Sequence, residues 1–246
     1  MIVVGTCGFG RSRARTFRDV QAVEVQETFY RAVEPGRARA WRASAPPEFV
    51  FAVQASQTIT HEASSPTYRR ARRLIAPEDA RAYGGFQDTA AVWEGWEATR
   101  AVAEALRAAA VVFRTPASFG PTKAHVAAVY RFFGSIETAA VKAWEPRGPW
   151  PGHLIAKACE DLGLVHAVDP FAGEPATYGL AYFRLHGSPP GPAKVRHTYT
   201  DADLSKLRAT CEEYDDAYAI FDNMTMHDDA VRFRSLLSGE RADGAR

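Results

Sequence analysis

The sequence predicts an α/β protein folded as a single TIM-type (β/α)8 barrel whose first helix is short or missing. Three observations carry this. Eight short, β-prone apolar runs alternate with helical patterns along 246 residues, the order of a parallel sheet whose strands are joined by helices. The first run is followed by no GxGxxG, the mark of a dinucleotide-binding open sheet. Polar side chains stand at the ends of the strands, where barrels of this class hold their chemistry. The same pattern predicts one domain over residues 1–246.

Residues 2–4 are a continuous apolar run closed by Gly5-Thr6-Cys7-Gly8-Phe9-Gly10, a buried strand leaving through a tight turn. A phosphate loop would end in Lys-Ser or Lys-Thr, and this one does not. Arg11, Arg13, Arg15 and Arg18 follow as a solvated run, with anion binding left open. Too few residues remain before the next strand for a full-length helix. Residues 23–31, Val-Glu-Val-Gln-Glu-Thr-Phe-Tyr-Arg, alternate apolar residues with acids and amides and read as the second strand, carrying Glu24 and Gln26. Pro35 opens a short helix with Trp41 on its inner side. Residues 49–55 form the third strand, and Gln54, Ser56, Gln57, Thr60, His61 and Glu62 crowd the loop behind it. Residues 64–80, rich in arginine and broken by proline, read as a loop or interrupted helix.

A helical pattern over 78–110, interrupted near Gly84-Gly85, puts Trp93, Trp96, Ala103 and Leu106 on a core-facing stripe. The fourth strand, 109–113, ends at Arg114. In the helix over 122–133, Val126, Val129, Tyr130 and Phe133 face inward. The fifth strand, 138–144, brings Lys142 towards its exit, with Glu145 just beyond. A helix over 152–162 stops at Gly163. The sixth strand, 164–168, leaves Asp169 at its end, and the seventh, 180–187, carries Arg184 and His186. After a proline-rich loop, Asp201 and Asp203 open a helix with an acidic first turn. The eighth strand, 218–221, ends in Asp222 and Asn223, and a last helix covers about 228–237. His166 reads as packing, His125, His153 and His197 as surface residues, and His227 as a residue near the rim.

The totals exclude several classes. A net charge of +1 gives no global reason to bind nucleic acid, although a local basic patch stays open. Cys7, Cys159 and Cys211 are too scattered for a disulfide framework and lack CxxC spacing. No apolar run approaches the roughly 20 residues of a membrane span, and Met1 to Gly5 begins a strand with no basic leader, so a soluble, cytoplasmic protein is expected.

Five stretches carry a resemblance: Gly5-Thr6-Cys7-Gly8-Phe9, the run over 23–31, FVFAVQASQTITHE over 49–62, YFRLHG over 182–187 and FDN over 221–223. In order, and across almost the whole chain, they resemble the YecE-like family, domain of unknown function 72. The resemblance implies a TIM barrel with no assigned activity. It places mouth residues at Thr6, Glu24, Thr28, Tyr30 and Thr60, and at His61, Arg184, His186, Gly187 and Asn223. The chain departs from that family at Cys7, where serine is usual, at Lys142-Ala143-Trp144-Glu145, where Glu-x-Arg-His is frequent, and in its clipped first helix.

The leading functional reading is an enzyme acting on an anionic or phosphate-bearing substrate. Glu24 with His61 or His186 would transfer protons, because burial and charge can bring such pairs towards neutral pKa values. Thr6, Tyr30, Gln54, Arg114, Lys142, Arg184 and Asn223 would bind the substrate. Set against it, Glu24 and Arg184 read equally as a barrel-top salt bridge. The alternative is a non-catalytic binder of nucleic acid or an anionic ligand, using arginines at 11–18 and 69–73 with Tyr30, Tyr68, Trp144 and Trp150. A metal-dependent phosphodiesterase of endonuclease-IV-like type would draw ligands from His61, His186, Glu24, Glu145, Asp169 and Asp222. No HxH or HExxH spacing supports that version, so no metal ligand is assigned and the cofactor is left open. A purely structural barrel is the remaining reading.

Overall fold

The computed structural model describes residues 1–71, 74–187 and 196–239. Eight strands, β1 (Ile2–Cys7), β2 (Ala22–Val25), β3 (Val50–Gln54), β4 (Ala110–Thr115), β5 (Val141–Pro146), β6 (Leu164–Val168), β7 (Leu180–Leu185) and β8 (Asp216–Phe221), follow one another in a closed barrel. β1 pairs in parallel with both β2 and β8, which closes the ring. The helices are α1 (Arg13–Asp19), α2 (Glu27–Tyr30), α3 (Pro35–Ser44), α4 (Gln57–Thr60), α5 (Pro66–Arg70), α6 (Ala90–Leu106), α7 (Lys123–Ser135), α8 (Gly152–Leu162), α9 (Asp201–Glu212) and α10 (Met226–Ser238). Among the described residues, no helix is long and apolar enough to cross a membrane.

Four local expectations change. The first helix is short, as predicted, but the arginine run is part of it: Ser12 caps α1, Arg15 and Arg18 pair with Asp19, and Arg11 pairs with Asp228. The second strand stops at Val25, because Thr28 Oγ1 donates to the carbonyls of Val25 and Gln54 and draws the chain into the turn of α2. The helical pattern over 78–110 splits into a 3-10 turn, Pro77–Ala82, and α6, since Gly84 and Gly85 take left-handed φ values of 80° and 61° between them. The fifth strand begins at Val141, later than expected, after Thr138 Oγ1 accepts a bond from the Ala140 amide in a turn.

Contacts divide the chain into two units. The first comprises Met1–Glu24, Ala45–Val50 and Ala167–Arg246; the second comprises Val25–Ser44 and Phe51–His166. In the first, Leu204, Leu207 and Cys211 of α9 and Ala230 and Phe233 of α10 are buried, with the Phe233 ring 6.0 Å from Phe221. Burial pushes the Cys211 thiol up to about 12, which marks it as packing. The predicted start of α9 is a capping box in which Thr200 and Asp203 satisfy each other's backbone amides.

The second unit is built on aromatic rings. Phe86, Phe113, Phe132 and Phe133 are buried, Phe113 meets Phe133 edge to face at 4.9 Å, and Trp96 lies 5.9 Å from Phe113. Each buried ring contributes about 1.5–3 kcal/mol through area alone. The predicted stripe of α6 holds for Trp96, Ala103 and Leu106, while Trp93 is half-buried and stacks on Phe132 at 5.5 Å. In α7 the buried residues are Ala128, Val129, Phe132 and Phe133, so Val126 and Tyr130 flank the stripe.

Candidate functional site

In the first unit, the strand period of two puts Tyr182 and Arg184 on the same face of β7, with His186 two residues further on. Arg184 and Glu24 are both fully buried and meet as a fork: Nε donates to Oε2 at 3.1 Å and Nη2 to Oε1 at 2.9 Å. Tyr182 donates to the same carboxylate at 2.9 Å, and the Cys7 thiol does so at 3.4 Å. Burial first, and the Glu24 charge second, push the Tyr182 phenol well above its usual range, so it stays a donor. Arg184 Nη2 also lies 3.2 Å from Asp222 Oδ2, and that oxygen lies 3.1 Å from His186 Nδ1. Asp169 accepts the His186 amide at 3.1 Å, which fixes the backbone under the ring. The result is a chain of contacts from Glu24 through Arg184 and Asp222 to His186.

Beyond β8, Asn223 uses its side-chain nitrogen three times: to His197 O at 2.7 Å, to Thr225 Oγ1 at 3.0 Å and to Asp229 Oδ2 at 2.7 Å. Those acceptors set the orientation of the amide. The buried Asp229 carboxylate also takes Thr225 Oγ1 at 2.7 Å and the Arg232 guanidinium at 3.2 Å.

In the second unit, His61 follows α4 and is buried, its Nδ1 2.8 Å from Thr60 Oγ1 and its carbonyl accepting the Tyr68 hydroxyl at 3.0 Å. Gly84 makes this packing feasible: at φ 80°, a Cβ there would lie 2.3 Å from the His61 carbonyl carbon. The Phe29 ring meets the imidazole edge to face at 5.0 Å, and the Arg114 guanidinium lies 5.0 Å from the same ring. Burial, then Arg114 and Arg147, lower the His61 pKa to about 3, against the opposing pull of Glu145. Burial likewise brings His166 down to about 4, against the opposing pull of Glu145. Both imidazoles are neutral at ordinary pH. His61 is therefore a weak base where it stands.

The expected site residues sort as follows. Glu24, Arg184 and His186 join one network, and the salt-bridge alternative for the first two is what their geometry matches. Thr6 Oγ1 is turned to Gly8 O at 2.9 Å, and Gln54 ends β3 fully buried. Tyr30 is half-buried and its hydroxyl accepts from Arg70 at 3.3 Å. Lys142 is a correction: it lies at the entrance of β5, and its ammonium donates to Leu162 O at 2.9 Å, serving the end of α8. Burial lowers its pKa there.

The proposed base-stacking set is corrected too. Tyr68, Trp144 and Trp150 are buried, Trp144 and Trp150 packing edge to face at 4.9 Å. Of the arginines at 69–73, Arg72 and Arg73 lie outside the described residues. His227 is buried, with its Nε2 3.0 Å from Asp19 Oδ2. Tyr182 and Arg147 were missing from the expected site, and Asp222 entered it only as a possible metal ligand. Tyr182 was legible through its two-residue spacing from Arg184; nothing in the spacing marked Asp222 as the link to His186.

The donor set does not fit a metal. Glu24 is held by Arg184, Asp222 stands between Arg184 and His186, and Asp169 receives two backbone amides. Among the described residues, no group of three or more His, Cys, Asp or Glu side chains is placed to hold one.

A family model, described as a protein of unknown function, DUF72, matches residues 14–242. The chain belongs to the DUF72 family. A DUF72 protein from Enterococcus faecalis V583 is similar in structure, with a TM-score of 0.71 and 18% identity over 97% of this chain and 98% of that one. A DUF72 protein from Thermotoga maritima MSB8 gives 0.66 and 17% over 97% and 99%. Endonuclease IV from Thermus thermophilus gives 0.50 and 11% over 97% of both chains, a likeness of fold alone. No curated protein matches the chain.

Proposed function

We propose that this DUF72 chain is an enzyme acting on an anionic or phosphate-bearing substrate, with His186 transferring protons at the C-terminal end of β7. The observation supporting it is the Nδ1 contact between His186 and Asp222 at 3.1 Å, backed by Arg184. A carboxylate at Nδ1 orients an imidazole and stabilises its protonated form, which is what a general acid–base needs. Arg184 holds Asp222 in place, and Glu24 holds Arg184. In this reading Glu24 is a positioning residue, because Arg184, Tyr182 and Cys7 already occupy its two oxygens. Three buried cysteines outside any disulfide suit a reducing compartment, so a cytoplasmic, single-domain enzyme is part of the reading.

The fold shared with endonuclease IV puts phosphodiesters beside phosphate monoesters among the substrates to assay. The test compares wild-type protein with His186→Asn on monoesters, diesters and oligonucleotides. Turnover in the wild type should fall by roughly 10²–10⁴-fold in the variant. Wild-type turnover that survives in H186N discards the assignment. Binding without turnover by the wild type makes the protein a ligand binder instead.

A further inference from the structure

We infer that the second unit carries an oxyanion-binding site, built on Arg114 and the imidazole of His61, that takes a phosphate group. Arg114 lies near the end of β4 and rests on the Phe29 ring at 5.0 Å, with His61 on the edge of that ring at the same distance. The Nε of Arg114 is buried without a hydrogen-bond partner, and among the described residues Arg114 forms no ion pair, with Glu145 opposite it in the register of β5. A buried donor left unsatisfied costs about 1–3 kcal/mol, which guanidinium contacts to a ligand oxygen can offset. Thr60 Oγ1 lies 2.8 Å from His61 Nδ1, and in the tautomer in which that hydroxyl donates, Nε2 carries the ring proton and is a neutral donor.

The charges acting on His61 are Arg114, Arg147 and Glu145, and the two cations outweigh the acid. Glu145 also acts on His166. A guanidinium fork and an imidazole N–H match the three terminal oxygens that a phosphate presents, with the exposed Arg147 adding positive charge. The inference goes beyond the proposed function and stands on residues of the second unit alone. A phosphate monoester and the phosphate of a nucleic-acid strand share this chemistry.

The test is calorimetric titration of the full chain with inorganic phosphate, phenyl phosphate and oligothymidylate at low salt, beside an NMR titration of His61. Phosphate should bind once per chain, and Arg114→Gln should weaken it by about tenfold or more. Arg208→Gln, which touches only an exposed pair with Glu212, should leave binding unchanged. The bound anion should raise the pH at which the His61 resonance titrates. Phenyl phosphate binding without oligothymidylate binding assigns a small monoester, and the reverse assigns a strand. If R114Q does not fold, Arg114→Lys, which keeps the charge and loses the fork, should bind more weakly than wild type. No phosphate uptake with no movement of the His61 signal overturns the inference, as does unchanged affinity in R114Q or R114K. Because H186N should bind phosphate normally while losing turnover, failure here and failure of the proton-transfer reading are told apart.

Discussion

Arg184 in the first unit and Arg114 in the second both sit at or near the end of an inward-facing strand, yet they are handled differently. Arg184 is surrounded: Glu24 takes its fork, Asp222 takes a further contact, and the Cys7 sulfur lies 3.3 Å away. Arg114 has an aromatic ring beneath it and a neutral imidazole nearby, and among the described residues it forms no ion pair, although Glu145 stands opposite it in the register of β5. A guanidinium whose charge is matched inside the protein builds structure and orients neighbours. One that is left unmatched raises the local potential and suits an anion from outside. The residue type is the same, and the acids around it decide the role.

The comparison breaks most visibly through Arg184→Met. Removing one partner of a buried pair leaves Glu24 uncompensated, so urea unfolding should show a loss of about 3–5 kcal/mol. A loss below about 1 kcal/mol, the level of an exposed pair, would mean that the network does not support the first unit. The next effect belongs to the second unit and to pH. His61 and His166 have folded pKa values of about 3 and about 4, below the unfolded value near 6.5. Their contribution is therefore complete above that value and is lost as pH falls towards the folded ones, because the unfolded chain takes up protons first. Stability should drop by up to about 1.4 kcal/mol per pH unit for each histidine. His166→Gln should flatten the slope between pH 6 and 4 in a folded variant, and an unchanged slope would remove His166 from the account.

Smaller effects sharpen the contrast. Phe113→Leu, a swap within an aromatic core, should cost about 1 kcal/mol by thermal unfolding, well under the loss for R184M. An equal loss would erase the distinction between a charged and an apolar core. Thr200→Ala, which opens the capping box of α9, should also cost about 1 kcal/mol or less. Exhaustive chelation should leave the melting temperature where it was. Near-stoichiometric zinc, manganese or iron in the purified protein, lost together with stability on chelation, would contradict the donor geometry.

Much of the fold was legible because barrel strands are short apolar runs with clear stops. The sixth strand and the α8 boundaries were readable from Leu164–Val168, Gly152–Leu162 and the glycine at 163. The second strand misled because alternation continued past Val25, while a side-chain bond from Thr28, invisible to periodicity, bent the chain. Lys142 misled through register: a strand displaced along the sequence exchanges its entrance for its exit.

The sequence by itself determined the order of elements, the family and the supply of polar groups near strand ends, because apolar periodicity and turn residues act locally. It also placed Tyr182, Arg184 and His186 at spacings of two, hence together. Only the tertiary structure decided which charge meets which. Glu24 and Arg184 lie 160 positions apart in the chain, and their pairing at 2.9 Å consumes the base that sequence had offered for catalysis. Electrostatic partners are chosen by distance in space, falling off steeply beyond a few ångströms, and that distance exists only after the barrel has closed.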